Sequence, residues 1–304
     1  MVAPAVVGEA LTLTRIVAVL QRPAVALPTL ATALAFLVLF MAPIQTLGRD
    51  WWNNPDAGHG LLLFPVSLWL AWKAGIVTNP NPQRLLGSVV LLSAVLLRWV
   101  SGLAAELFTM RASMWWAMIG LIIFTAGWRQ LRHWWLPLIL LLLSIPLPAV
   151  ITNTLAIPLQ LQASDFGTRL IAWRDIPVRL SGNVISIPGQ RLFVAEACSG
   201  LRSLTALIAL GVMIGGMYLR RWPSRLLLIL LSIPIAVMIN SIRIFLTAFL
   251  MHYIDPALGR GFMHTSEGWA LFVGALGLVA LVAAVIAWVE RRLLRRNDAV
   301  AALV

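Results

Sequence analysis

Residues 225–251 read RLLLILLSIPIAVMINSIRIFLTAFLM. Only Arg225 and Arg243 interrupt this run with charge. A membrane-crossing helix needs about 20 mostly apolar residues, and this stretch exceeds that. The rest of the chain has the same character. Of 304 residues, 61% are hydrophobic and 11% charged, and the mean hydropathy is +0.91. Soluble domains carry roughly 25% charged residues, and a soluble fold of this size could not hide so much apolar surface. The expected fold is therefore an all-α polytopic membrane protein with the lipid bilayer as its solvent.

Runs of suitable length fall near 27–47, 58–76, 85–103, 112–128, 134–151, 199–219, 225–251 and 268–289. That predicts about eight transmembrane helices. The net charge of +12 does not point to nucleic acid, because the basic residues sit in short clusters between apolar runs. Arg15 and Arg22, Lys73 and Arg84, Arg129 and Arg132, Arg220, Arg221 and Arg225, and the group Arg291, Arg292, Arg295 and Arg296 all fall on one side of an eight-span chain. The positive-inside rule makes that side the cytoplasm, with both termini there. Residues 1–26 then form a cytoplasmic N-terminal segment, 27–290 the transmembrane domain and 291–304 a basic cytoplasmic tail. The first 25 residues show no charged, apolar and cleavage regions in signal-peptide order, so the first span is expected to act as an uncleaved signal. Trp51, Trp52, Trp115, Trp116, Trp134, Trp135, Trp222, Trp269 and Trp288 lie near predicted helix ends, as in interfacial aromatic belts.

The opposite side holds connections 48–57, 104–111, 152–198 and 252–267. The third is the longest. Residues 151–173 read as an amphipathic or surface-lying helix. Alternating Ile176, Val178 and Leu180, the turn Ser181-Gly182-Asn183, the run Val184 to Ile187, the turn Pro188-Gly189 and the run Arg191 to Ala195 then read as a small extracytoplasmic β-hairpin. It delivers the chain into the helix that starts near Ser199.

The single cysteine excludes an internal disulfide framework and a multi-cysteine metal site, and no metal or cofactor is expected. Cys198 lies where the hairpin becomes a membrane helix. A helix N-terminus favours thiolate, and Arg202, one turn on, adds positive field. Glu196 opposes it if it faces the same way, and Ser199 adjoins. The plainer alternative is a buried thiol acting as a small hydrophobe. Arg243 stands about 27 Å along its helix from Arg225, at the outer edge of the hydrocarbon. It either faces a polar interior, with Asn240 one turn earlier as a hydrogen-bond partner, or reaches the outer headgroups. His264, just before the last predicted helix, is a general acid or base or a solvated loop residue. His252 competes with it, while His59 and His133 are poorer candidates. Thiolate, histidine and guanidinium together suffice for acyl transfer.

The segments Glu196-Ala197-Cys198-Ser199-Gly200-Leu201-Arg202-Ser203, Asn240-Ser241-Ile242-Arg243 and Phe262-Met263-His264 closely resemble the exosortase/archaeosortase family. Asp175-Ile176-Pro177-Val178, Ser181-Gly182-Asn183, Ile187-Pro188-Gly189 and the early His59-Gly60 and Ser67-Leu68-Trp69-Leu70 are similar to it too. The likeness covers roughly residues 50–290. It implies a multi-pass bacterial inner-membrane cysteine protease or transpeptidase with a periplasm-facing site. The implied substrates are exported proteins with a C-terminal Pro-Glu-Pro-type motif, one membrane helix and a basic tail. By this resemblance Cys198 is the nucleophile, His264 the acid/base and Arg243 the stabilising cation, with a surface polysaccharide or other nucleophile as acceptor. Two rivals come from other classes. A transporter with Arg243 as pathway charge needs more ionisable residues deep in its helices than this chain has. A non-catalytic assembly component of polysaccharide export needs only a packed Cys198.

Overall fold

The computed structural model describes residues 23–54, 56–194, 200–255 and 261–301. Contacts divide the chain into two compact units, Met1–Pro146 and Leu147–Val304.

The first unit runs α1 (Pro23–Leu39), α2 (Met41–Asn53), α3 (Gly60–Ala74), α4 (Arg84–Leu103), α5 (Leu107–Thr125), α6 (Trp128–His133) and α7 (Trp135–Leu143). Helices α4 and α5 pack as a close antiparallel pair because glycines let the backbones meet. A Cβ on Gly87 would lie 2.5 Å from Cα of Phe124, and one on Gly120 would lie 2.9 Å from Cγ of Leu91. Small residues serve this purpose between membrane helices, where water no longer drives association. Buried Arg111, in the first turns of α5, reaches Asp50 of α2 at 2.7 Å. The α3 end is fixed by buried Gln130, which accepts from the Val77 N–H at 2.8 Å and donates to the Gly75 carbonyl at 3.2 Å.

The second unit runs α8 (Ala149–Trp173), β1 (Arg179–Ser181), β2 (Val184–Ile187), β3 (Gln190–Phe193), α9 (Gly200–Tyr218), α10 (Trp222–Tyr253) and α11 (Gly261–Ala301). The helix expected over residues 151–173 is α8. The expected hairpin is a three-stranded antiparallel meander ordered β1-β2-β3. Pro188-Gly189 forms a second two-residue turn, since proline presets the first turn position and Gly189 takes φ +75° at the next. The sheet buries Ile185, Ile187 and Leu192 against Ile171 of α8 and Ile244, Ala248 and Met251 of α10.

Among the described residues, four helices are long and apolar enough to cross a bilayer, or five if α1 and α2, bent by 63°, form one span. The chain is an all-α multi-pass membrane protein, and the described residues do not confirm the expected count of eight. Helix α3, at 15 residues, extends about 22 Å at 1.5 Å per residue, short of a hydrocarbon core of about 30 Å. The expected span 134–151 is interrupted. Helix α7 stops at Leu143, and Pro146 and Pro148 follow. Proline lacks an N–H and pushes the preceding residue out of helical conformation.

Several tryptophans expected in belts are half-buried and brace neighbouring segments as well. The indoles of Trp51, Trp115 and Trp134 donate to the carbonyls of Ser144, Leu138 and Gly75. Trp52, Trp222 and Trp288 are exposed, as belt residues would be.

Candidate functional site

Glu196, Cys198 and Ser199 lie outside the described residues. Strand β3 ends before them and helix α9 follows them, and these elements fix the frame. Helix α9 begins at Gly200, two residues beyond the cysteine, so Arg202 falls in its first turn. Helix α11 begins at Gly261, so His264 also lies in a first helical turn and not in a loop before the last helix. Arg243 is a half-buried residue of α10.

Helix α10 presents two different faces. Its rotation of 3.6 residues per turn puts Ser232, Ala236, Ile239, Asn240 and Arg243 on one stripe. Ala236 and Ile239 pack with Leu204 and Leu207 of α9 and with Ala275 and Val279 of α11. The other face carries Val237, Ser241, Ile244 and Ala248. It packs on α8 and the sheet, and Gly167 of α8 approaches so closely that a Cβ there would lie 2.7 Å from Cγ2 of Ile244. Asn240 and Arg243 therefore belong to the α9–α11 side. Ser241 belongs to the α8 side, where its hydroxyl donates to the Val237 carbonyl at 2.8 Å. A cavity of about 640 Å³ between α8 and α10, lined by Phe166, Val237, Met238 and Ile242 among others, lies on that side as well.

Heights along α10 follow from its contacts. Gly211 of α9 faces Ser232, and Gly215 faces Leu228, so the two helices run antiparallel in a defined register. Each step up α10 matches one step back along α9. From Ser232 up to Arg243 is about 16 Å, and the same distance back from Gly211 reaches Gly200. The start of α9 is thus level with Arg243. At the opposite end, the buried Glu290 carboxylate accepts the backbone N–H groups of Arg220, at 3.3 Å, and of Arg221. That contact aligns α11 with the start of α10. Counted upward from it, His264 stands about one helical turn above Arg243.

A family model described as transmembrane exosortase matches residues 51–281, well over half of the chain. The chain belongs to the transmembrane exosortase family. No curated protein and no solved structure matches it.

In this exosortase-family chain the structure adds a residue that sequence reading passed over. Thr247, one turn above Arg243 on the same stripe, is 1% exposed. Its signal was available as a polar set spaced three or four apart within an apolar run: Asn240, Arg243 and Thr247. His252, the rival histidine, is exposed on the last turn of α10, its ring edge-on to Tyr253 at 4.8 Å. His59 serves the first unit. Its ring nitrogens contact the carbonyls of Asp56 at 3.1 Å and Leu143 at 3.2 Å. The neighbouring Gly60 leaves room for the Trp51 indole, whose Nε1 would lie 2.0 Å from a Cβ there. His133 contacts the Ala74 carbonyl at 2.9 Å.

Proposed function

We propose that this chain is a membrane cysteine protease or transpeptidase that processes C-terminal sorting signals of exported, membrane-tethered proteins. The observation that carries this reading is the register of the α9–α10–α11 bundle. It brings the start of α9, two residues beyond Cys198, level with Arg243, and the first turn of α11, with His264, about one turn higher.

The roles follow from the chemistry. The Cys198 thiolate attacks the scissile carbonyl carbon, and Arg243 stabilises the negative charge that develops on its oxygen. His264 protonates the departing amine as the C–N bond breaks. The resulting thioester is then opened by water or by an acceptor nucleophile, such as a hydroxyl of a surface polysaccharide, which regenerates the thiol. Glu196, Ser199, Arg202 and Asn240 support the site. A basic tail after the substrate's membrane helix holds that end in the cytoplasm, leaving the scissile bond at the periplasmic face of a bacterial inner membrane. Both termini of the enzyme are then cytoplasmic.

The test is processing of a tagged substrate in cells. Cys198→Ser and His264→Ala are expected to abolish cleavage, and Arg243→Lys to reduce it by about 10²-fold, as for loss of an oxyanion donor. Each variant should insert into the membrane at wild-type level. Normal cleavage by inserted Cys198→Ser would overturn the nucleophile assignment.

A further inference from the structure

Two pairs of arginines, far apart in the chain, meet at one end of the second unit. Arg220 and Arg221 lie in the turn between α9 and α10, and Arg291 and Arg292 lie on α11. The buried Glu290 carboxylate joins the two segments. It accepts the backbone N–H groups of Arg220 and Arg221, which are 70 and 69 positions away. All four arginines are exposed. The Arg292 guanidinium lies over the Trp288 ring, 4.0 Å from its centroid. Trp222 and Tyr218 are exposed at the same junction.

This junction suits an anion. Like charges gathered at one place repel, and the acid within reach does not relieve them. Glu290 is 5% exposed and is occupied by backbone donors. Among the described residues no carboxylate pairs with any of the four guanidinium groups. Orienting a chain by its positive charge needs basic residues on one side of the membrane. It does not need them drawn together from segments about 70 positions apart and clamped there. Apolar surface lies beneath the charge. Counted from the Glu290 contact, Leu226 and Leu227 of α10 and Val285 of α11 lie about 8 Å toward the membrane interior, and all three are exposed.

We propose that this junction binds an anionic phospholipid with two phosphates, a cardiolipin, in the leaflet that the α9–α10 turn faces. Arginine offers a planar fork matched to phosphate. The pair in the turn takes one phosphate and the pair on α11 takes the other. Basic clusters at the ends of membrane helices are suited to such headgroups. Trp222 and Trp288 then sit at headgroup depth, where amphipathic rings are favoured, and the acyl chains run along Leu226, Leu227 and Val285. A soluble polyanion would satisfy the arginines but not the apolar surface directly beneath them. The lipid joins the α9–α10 turn to α11 from outside, as Glu290 does from inside, so its binding stabilises the bundle.

The test uses the full chain in detergent, with cardiolipin, phosphatidylglycerol or phosphatidylcholine added, read by native mass spectrometry and by thermal unfolding. The chain is expected to retain cardiolipin, to hold phosphatidylglycerol more weakly and to release phosphatidylcholine. Its unfolding midpoint should rise most with cardiolipin, as for a ligand that binds the folded state. Arg220→Gln/Arg292→Gln removes one guanidinium from each pair and leaves Arg221, Arg225 and Arg291 to hold the orientation. It should weaken cardiolipin binding by about tenfold or more, the range for charge-assisted hydrogen bonds, with an unchanged midpoint in lipid-free detergent. Arg129→Gln/Arg132→Gln, in the first unit, also removes two exposed arginines, one of them over a tryptophan ring, and should leave binding as it was. Equal weakening by the two double variants would overturn the proposal, because charge at large would then be the cause. Phosphatidylglycerol held as tightly as cardiolipin, or cardiolipin held undiminished by Arg220→Gln/Arg292→Gln, would overturn it too. An equal midpoint rise with a soluble oligonucleotide would count against a lipid site. These readouts are binding and stability, so they stand apart from the cleavage result for Cys198.

Discussion

Arg111 carries a full charge at 3% exposure, and Asp50, its partner at 2.7 Å, is 37% exposed. Thr46 accepts a further bond from its Nε at 3.4 Å. Replacing Asp50 by Ala would strand the guanidinium among apolar groups. The expected loss of stability lies between the ~1 kcal/mol of a surface pair and the ~3–5 kcal/mol of a buried one, read as a lower midpoint of thermal unfolding in detergent. Arg111→Met should lose less, because it removes the buried charge as well. Glu106 offers a pH test. Its carboxylate caps α5, accepting from the backbone N–H of Phe108 at 3.0 Å and Thr109 at 2.6 Å. The Thr109 hydroxyl, more than the backbone bonds or the Arg111 charge, holds its pKa below the ordinary 4.5 against a smaller opposing effect of burial. A depressed folded value means the cap contributes above the ordinary pKa and is lost as pH falls through the lowered one. Glu106→Gln should therefore flatten the fall in unfolding midpoint below about pH 4.5, while Glu106→Ala should cost about 1 kcal/mol at neutral pH. Arg243, a cation in an apolar run, was legible in the sequence because charge in a membrane helix is costly. Asp50–Arg111 was not, because its partners are 61 positions apart and only packing joins them.

Helix pairs in this chain are set by where a side chain is missing. Gly167 meets Ile244 across the α8–α10 contact, and Gly211 meets Ser232, whose Oγ would lie 2.6 Å from a Cβ, across the α9–α10 contact. At such distances the branched Ile244 side chain, with the Ser241 carbonyl 3.3 Å away behind it, or the Ser232 hydroxyl must give way to any larger side chain. Gly167→Leu is expected to shift α8 off α10 and disturb the sheet that packs beside it, at a cost of about 1–3 kcal/mol from overpacking. The check is a lower unfolding midpoint together with faster proteolysis of the 174–194 segment. Gly211→Leu should instead change the α9–α10 register and reduce substrate cleavage along with stability. The sequence made the apolar runs of α4, α5 and α10 readable, since length and composition define a span. The meander was readable from its turn residues and from the runs between them, including Arg191 to Ala195, which contains most of the third strand. The bend within 27–53 was not, because the apolar run continues through Leu39, Phe40 and Met41 and only local backbone geometry bends it by 63°. The α10 stripe could have been read from periodicity, but which face meets α9 is decided by glycines on the other helix.

At the scale of the whole molecule, the second unit has two distinct ends. One gathers Arg220, Arg221 and Arg225 at the α9–α10 turn, with Arg291 and Arg292 beside Glu290, whose carboxylate joins the two segments. The other holds the meander with Arg179 and Arg191. Arginine at both ends means that net charge alone does not orient the unit. The tight clusters directly flanking spans carry more weight than residues spread through a long connection, so the proposed orientation has the α9–α10 turn in the cytoplasm. This orientation can be tested within the second unit, without a full count of spans. Replacing the single native cysteine by Cys198→Ala gives a thiol-free chain, into which one cysteine is returned at Ser181, in the first turn of the meander, or at Arg221. A membrane-impermeant maleimide applied to cells with a permeabilised outer membrane is expected to label Ser181→Cys within minutes. Arg221→Cys should react only after the inner membrane is opened. The reverse pattern would put the meander in the cytoplasm, on the wrong side for a substrate whose basic tail is held there, and the cleavage chemistry proposed for Cys198 would then have no exported segment within reach.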